Sequence, residues 1–272
     1  MRLGGRNLLR RRTGAGPIRP IPSRLPAGEI ERELKRYDDW FYEFGFANGA
    51  MTAVDEPLVR QIHETRARLV FDRLDRAFGK RWRRVACLDM ACHQGWFAIQ
   101  AALRGARVRG VDARPEHIDR ARLVATLAGL EGIDFDQRNL YEIAPDRDGS
   151  YDLTLLLGVL YHLENPVGAL RAARSVTTEL CVIETQVARP ASDLSYAWGT
   201  DPNLRSGHAM AVGRVDPHHA AETEAVVLLP TLAALHDLLR AAGFARIELA
   251  EPPASATRQF VEGDRVVIFA SV

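Results

Sequence analysis

Cysteine is scarce in this chain: three residues in 272, Cys87, Cys92 and Cys181. Their spacing matches neither a disulfide framework nor a zinc knuckle, and a reducing, cytoplasmic compartment suits them. Long hydrophobic runs are missing too, since no apolar stretch approaches the roughly 20 residues that a membrane-spanning helix requires. Charge of one sign is also lacking. The formal net charge is +1, so the molecule carries no overall field to hold a polyanion. Acidic residues are absent from residues 1–24, where seven arginines stand. Gly14, Gly16, Pro17, Pro20 and Pro22 would break an amphipathic targeting helix there, and no apolar secretory core follows. Residues 1–28 therefore read as a basic, disordered tail.

What is present has ordinary globular proportions, 47% hydrophobic and 26% charged. Helical alternation over 29–40 leads into a crowd of aromatics, Trp40, Phe41, Tyr42, Phe44 and Phe46. A second helix is expected over 56–78, with Pro57 in its first turn and Gly79 at its stop. Together 29–80 form an N-terminal helical extension, with the aromatics as a lid or as core. From residue 81 to 272 strands and helices alternate: strands at 84–90, 107–112, 133–139, 151–157 and 180–184, helices at 95–103, 115–128 and 166–175. An irregular stretch over 188–225 precedes a helix at 231–242 and strands at 246–249 and 265–269. Alternation of this kind implies βαβ units and a doubly wound α/β sheet, with ligands in the crevice beyond the carboxyl ends of its strands.

Four segments follow those strand ends. The first reads Leu88-Asp89-Met90-Ala91-Cys92-His93-Gln94-Gly95, an acid followed by a short loop and a helix start. A dinucleotide-binding turn would place glycine where Ala91, His93 and Trp96 stand, so that phosphate cradle is absent. The second, Val108 to Ala113, ends on Asp112, 23 residues after Asp89. The third contains Arg138-Asn139-Leu140, and the fourth runs from Tyr151 through Leu157-Gly158-Val159-Leu160-Tyr161-His162-Leu163.

These segments together resemble the class I, Rossmann-like S-adenosylmethionine-dependent methyltransferases, over about 84–269. Ile183-Glu184-Thr185 and Ala242-Gly243-Phe244 match further landmarks of that superfamily. The resemblance implies a seven-stranded, mostly parallel sheet of order 3-2-1-4-5-7-6, and S-adenosyl-L-methionine as cofactor. It assigns Asp89, Ala91, His93 and Gly95 to the loop beside the methionine portion, a loop with glycines at alternate positions in the family. His93 is then expected to point away. Asp112, with Ala113, takes the ribose hydroxyls, or Asp112 caps the helix at Pro115. Asn139 and Leu140 take the adenine, or Asn139 closes a turn. Gly158 faces the crevice, and Tyr161 and His162 stand where an acceptor would sit, as orienting or deprotonating groups or as packing.

Trp96-Phe97, Gly158 to Leu163 and Leu229-Pro230-Thr231 are similar to the bacterial tRNA wobble-uridine carboxymethyltransferase group, which uses a carboxylated cofactor. The ordinary cofactor is expected here, with an oxygen or nitrogen of a small or medium-sized metabolite as acceptor. Two other readings stand beside it. Arg81, Arg83, Arg84 and the basic tail permit RNA binding, and the departures at 91 and 93 permit a non-catalytic, cofactor-binding protein. His208, His218 and His219 have no ligand partners at zinc spacing and read as solvated loop residues, so no metal is expected.

Overall fold

The computed structural model describes residues 17–54, 56–189, 209–214 and 226–272. Its centre is a seven-stranded sheet made of β1 (Ala86–Met90), β2 (Arg107–Asp112), β3 (Ile133–Gln137), β4 (Tyr151–Leu157), β5 (Thr177–Gln186), β8 (Arg246–Leu249) and β9 (Arg265–Ser271). A separate antiparallel pair, β6 (Met210–Arg214) with β7 (Val226–Pro230), lies outside it. The sheet order is β3-β2-β1-β4-β5-β9-β8, and β9 runs antiparallel to both neighbours. Counting sheet strands alone, this is the expected 3-2-1-4-5-7-6. The strand pair β6–β7 is a correction, because 188–225 was read as irregular throughout.

Helices cover both faces: α1 (Ala27–Leu34), α2 (Pro57–Phe78), α3 (Trp96–Ala102), α4 (Pro115–Leu127), the single turn α5 (Pro145–Asp148), α6 (Pro166–Val176), α7 (Leu232–Ala242) and α8 (Arg258–Val261). Strands buried on both sides carry near-continuous apolar runs, and alternate residues serve opposite cores. Cys87, Leu153, Leu155 and Val182 pack with α2, α3 and α4. Leu88, Leu156, Cys181 and Ile183 pack with α6 and α7. Helix ends follow local chemistry: the Asn165 and Thr231 side chains accept from Gly168 and Ala234 N–H, starting α6 and α7, and Gly243 closes α7 at φ 102°. All three cysteines are buried free thiols.

The N-terminal extension is shorter in helix and tighter in packing than its sequence pattern suggested. The expected helix over 29–40 ends at Leu34, and Trp40 turns back to donate its indole N–H to the Leu34 carbonyl. Trp40, Tyr42, Phe44 and Phe46 are buried core, while Phe41 is 41% exposed. Residues 17–28, which composition placed in the tail, lie against the body. Ile21 is buried and bridges Phe46, and the Arg19 guanidinium donates to the Leu103 carbonyl. Among the described residues no helix is long and apolar enough to cross a membrane.

Candidate active site

Four neighbouring strands, β3, β2, β1 and β4, release their chains at one edge of the sheet, so the segments singled out in the sequence converge there. The loop after β1 is held at both ends: Cys92 N–H bonds the Val111 carbonyl, and Gly95 N–H the Cys92 carbonyl. Ala91, His93 and Gly95 have φ values of 57°, 52° and 78°, and the first two are the non-glycine residues with positive φ among those described. The alternating left-handed geometry of a glycine loop is thus retained by side chains that disfavour it, at roughly 1–2 kcal/mol each. Gly95 has a second reason to be glycine, because a Cβ there would lie 2.7 Å from the Phe135 ring and 2.8 Å from Ala121. Gly95→Ala is expected to cost roughly 2–4 kcal/mol in a chemical denaturation curve, combining backbone strain with overpacking.

Asp112 ends β2, and both its oxygens are engaged. Oδ2 accepts from His93 N–H at 2.8 Å. Oδ1 accepts from Arg114 N–H at 3.0 Å and meets His117 Nδ1 at 3.1 Å. Burial alone would raise its pKa, but the His117 contact and the Arg114 N–H hold the carboxyl below its ordinary value. A carboxylate has about four acceptor positions, so an anionic Asp112 retains capacity for a hydroxyl donor. The His93 ring stacks on His117 with centroids 3.7 Å apart, and lies 4.9 Å from the Phe41 ring. Burial first, then His117, lowers the His93 pKa to about 3, so the ring is neutral at physiological pH.

Asp89 is 3% exposed, and its Oδ2 is buried without a hydrogen-bond partner among the described residues. Burial pushes its pKa up to about 8, opposed by a hydrogen bond with Ala98 N–H in the first turn of α3. Between its ordinary 3.8 and about 8, the folded state keeps a proton that the unfolded chain has released. Stability therefore falls as pH rises through that window and levels off above it. Asp89→Asn is expected to flatten this slope, as read from urea midpoints at pH 5 and 8.5.

The remaining positions are placed unevenly. Asn139 Oδ1 accepts from Tyr141 N–H at 3.0 Å, capping the one-turn helix Leu140–Glu142, and Leu140 is buried in the α6–α7 core. The Ala113 carbonyl accepts from the Gln137 amide. Gly158 follows β4 at φ 75° and donates its N–H to the Glu184 carbonyl. Tyr161 and His162 sit on the next turn with ring centroids 4.1 Å apart, and the Tyr161 hydroxyl receives Arg265 Nη1 at 3.3 Å. His208, His218 and His219 lie outside the described residues.

Several residues at this edge had been given no role from sequence. Gln94 ties the extension to the loop: its Oε1 accepts from Phe41 N–H at 2.9 Å and its Nε2 donates to the Asp39 carbonyl at 3.0 Å. Trp96 donates its indole N–H to the Glu43 carbonyl. Glu184 is fully buried between Arg66 and Arg265. A glutamate inside the apolar run of β5 was the available signal for that cluster. Of the basic residues set aside for RNA, Arg19 bonds the body and Arg81 pairs with Glu179 at 2.8 Å.

An open sheet of this order, with a left-handed loop after β1 and an acid closing β2, is the Rossmann-like fold of the class I S-adenosylmethionine-dependent methyltransferases. A family profile described as "Methyltransferase domain" matches residues 62–249, and the chain belongs to that family. Among curated relatives, the ubiquinone biosynthesis O-methyltransferase of Vibrio campbellii is 28% identical over 144 residues, covering 53% of this chain and 57% of that protein. Its Aeromonas salmonicida counterpart is 32% identical over 114 residues, covering 42% and 45%. The chain thus spans about half the length of the curated relatives it matches. In fold it is similar to the N-terminal domain of EvdMO1, solved with SAH bound, at TM-score 0.67 and 19% identity over 91% of this chain and 98% of that one. The magnesium protoporphyrin IX methyltransferase of Synechocystis, with bound SAM, aligns at TM-score 0.50 and 17% identity over 81% and 86%. The resemblance to the tRNA wobble-uridine group finds no support in these matches.

Proposed function

We propose that this protein transfers a methyl group from S-adenosylmethionine to a small or medium-sized metabolite, at oxygen in preference to nitrogen. The observation that carries the reading is the junction of Asp112 with the β1–α3 loop. A buried carboxylate is anchored by His93 N–H beside three consecutive alternate residues in left-handed geometry. The residues fit the cofactor. Asp112 has acceptor capacity left for ribose hydroxyls, and the unpartnered Asp89 Oδ2 is a buried oxygen on a carboxyl that a cationic donor beside it would draw into its ionised form. The preference for oxygen rests on the curated relatives, which are named O-methyltransferases.

When bound, the cofactor supplies an electrophilic methyl group on a sulfonium. The protein's share is alignment and exclusion of water, with a general base required only for a weakly nucleophilic acceptor. Asp112 would hold the ribose end and the loop from Ala91 to Gly95 the methionine end, and the extension, tied to that loop by Gln94, covers the edge through Phe41. Tyr161 orients the acceptor, and His162 stands beside it as the candidate base. Transfer of labelled methyl from S-adenosylmethionine to phenols and alcohols tests this assignment, with matched amines as the comparison. His162→Ala should lower kcat more than it raises KM and shift the pH profile. An unchanged profile would make His162 a packing residue.

A further inference from the structure

At the β4–β5 end of the crevice stands a charged cluster that the assignments above leave without a role. Glu184 lies opposite Leu157 at the carboxyl ends of β5 and β4, and Arg265 opens β9 beside them. Glu184 Oε1 receives Arg265 Nη1 at 2.7 Å, and Arg66 Nε of α2 stands 3.0 Å from Glu184 Oε2. The side chains are 5%, 5% and 0% exposed for Arg66, Arg265 and Glu184. Two tyrosine hydroxyls accept from the guanidinium groups: Tyr161 at 3.3 and 3.4 Å from Arg265, Tyr42 at 3.5 Å from Arg66 Nη1.

The charge does not balance. Two guanidinium groups face one carboxylate among the described residues, and the surrounding groups add no counter-charge. Burial and then Arg66 lower the His63 pKa to about 2, so it is neutral. Burial holds the Tyr42 phenol well above its ordinary value. Asp89, pushed up to about 8 by burial, is mostly protonated at neutral pH. Arg265 keeps its charge, because Glu184 and Tyr161 outweigh the burial that opposes it. A buried surplus charge is costly unless an ion of opposite sign completes it. The methyl donor is itself a sulfonium, which adds a second positive centre to the same crevice. Gly158 lies directly on the cluster: a Cβ there would stand 3.2 Å from both terminal nitrogens of Arg66 and 3.4 Å from Glu184 Oε2, so only glycine lets the turn after β4 approach the guanidinium this closely.

Resting on the proposed methyl transfer, we infer that the acceptor is a hydroxy acid whose carboxylate docks on Arg66, Arg265 and the Tyr161 hydroxyl. A guanidinium presents paired donors in the geometry of a carboxylate, and Tyr161 supplies a third. The acid anchors the molecule while its hydroxyl oxygen faces the methyl group. A neutral analogue would leave the surplus charge unpaired and is rejected for that reason.

Calorimetry on the full chain, saturated with S-adenosylhomocysteine, tests the inference with 3- and 4-hydroxybenzoate, lactate and glycolate against their primary amides. At least one acid should bind about thirtyfold or more tightly than its amide, the effect of removing one partner from a buried charged contact. Arg265→Gln should erase the difference, Arg265→Lys should retain part of it, and Tyr161→Phe should reduce it. Equal binding of acid and amide, or no binding of any acid at millimolar concentration, overturns the inference. The wild-type comparison decides even if Arg265→Gln does not fold. The carboxylate could instead be the cofactor's own. In that case Arg265→Gln weakens S-adenosylhomocysteine but not 5′-methylthioadenosine, which lacks the amino-acid end, and the acceptor assignment is overturned. Failure of S-adenosylhomocysteine to bind the wild type would instead strike the cofactor reading, and the acid-against-amide comparison on the protein alone would still decide the subsite.

Discussion

Asp112→Ala is expected to weaken S-adenosylhomocysteine binding by about a hundredfold or more while leaving the protein folded. Two hydroxyl donors to a charged acceptor contribute roughly 1.5–3 kcal/mol each, and the substitution removes both. The same carboxylate also satisfies His93 and Arg114 N–H, so the variant loses some stability, about 1–3 kcal/mol. Asp112→Asn separates the two effects. It preserves the shape of the loop and one acceptor oxygen, and should fall between alanine and the parent in affinity with a smaller loss of stability. Calorimetry gives the affinities, and circular dichroism confirms the fold of each variant. Full affinity in Asp112→Ala would leave the residue as a backbone anchor between the β1–α3 loop and the start of α4 and remove the ribose assignment.

Glu184→Ala carries the largest expected loss of stability, roughly 3–5 kcal/mol, because it strands two buried guanidinium groups without their shared counter-ion. The cost arises from the uncompensated charge more than from the lost contact. Replacing all three residues together, Glu184→Leu with Arg66→Met and Arg265→Met, should therefore recover much of the stability in a denaturant titration. It should also abolish the discrimination between acids and amides. A triple variant no more stable than Glu184→Ala would show that packing, and not charge, sets the cost.

The alternating strands and helices and the crevice were legible because each βαβ unit repeats a local signal, while the strand order came with the family resemblance. Apolar strands such as Tyr151–Leu157 stop at glycine or an acid, and helices such as Pro166–Val176 start at a capping residue and proline. Asp112 was legible for the same reason, as an acid at a strand end. Contacts between distant segments were not. Residues 17–28 looked like the rest of an arginine-rich tail, yet Ile21 is fixed by a bridge to Phe46 that composition cannot reveal. Met210–Arg214 is too short, and too far in sequence from Val226–Pro230, for pattern to show that they pair. Arg66, Glu184 and Arg265 come from three elements, and only the fold makes them neighbours. Glycine spacing misled in a different way. The substitutions at Ala91 and His93 suggested a degraded loop, whereas the backbone keeps positive φ at both.

The most direct test of the central claim, a nucleoside-cofactor site organised by Asp112 and the β1–α3 loop, is parallel calorimetric titration of the purified chain with S-adenosylmethionine, S-adenosylhomocysteine and NAD. Saturable binding of both sulfur compounds, with no heat from NAD, is the predicted result. Failure of both sulfur compounds to bind would contradict the account, whatever fold the chain shares with the methyltransferases.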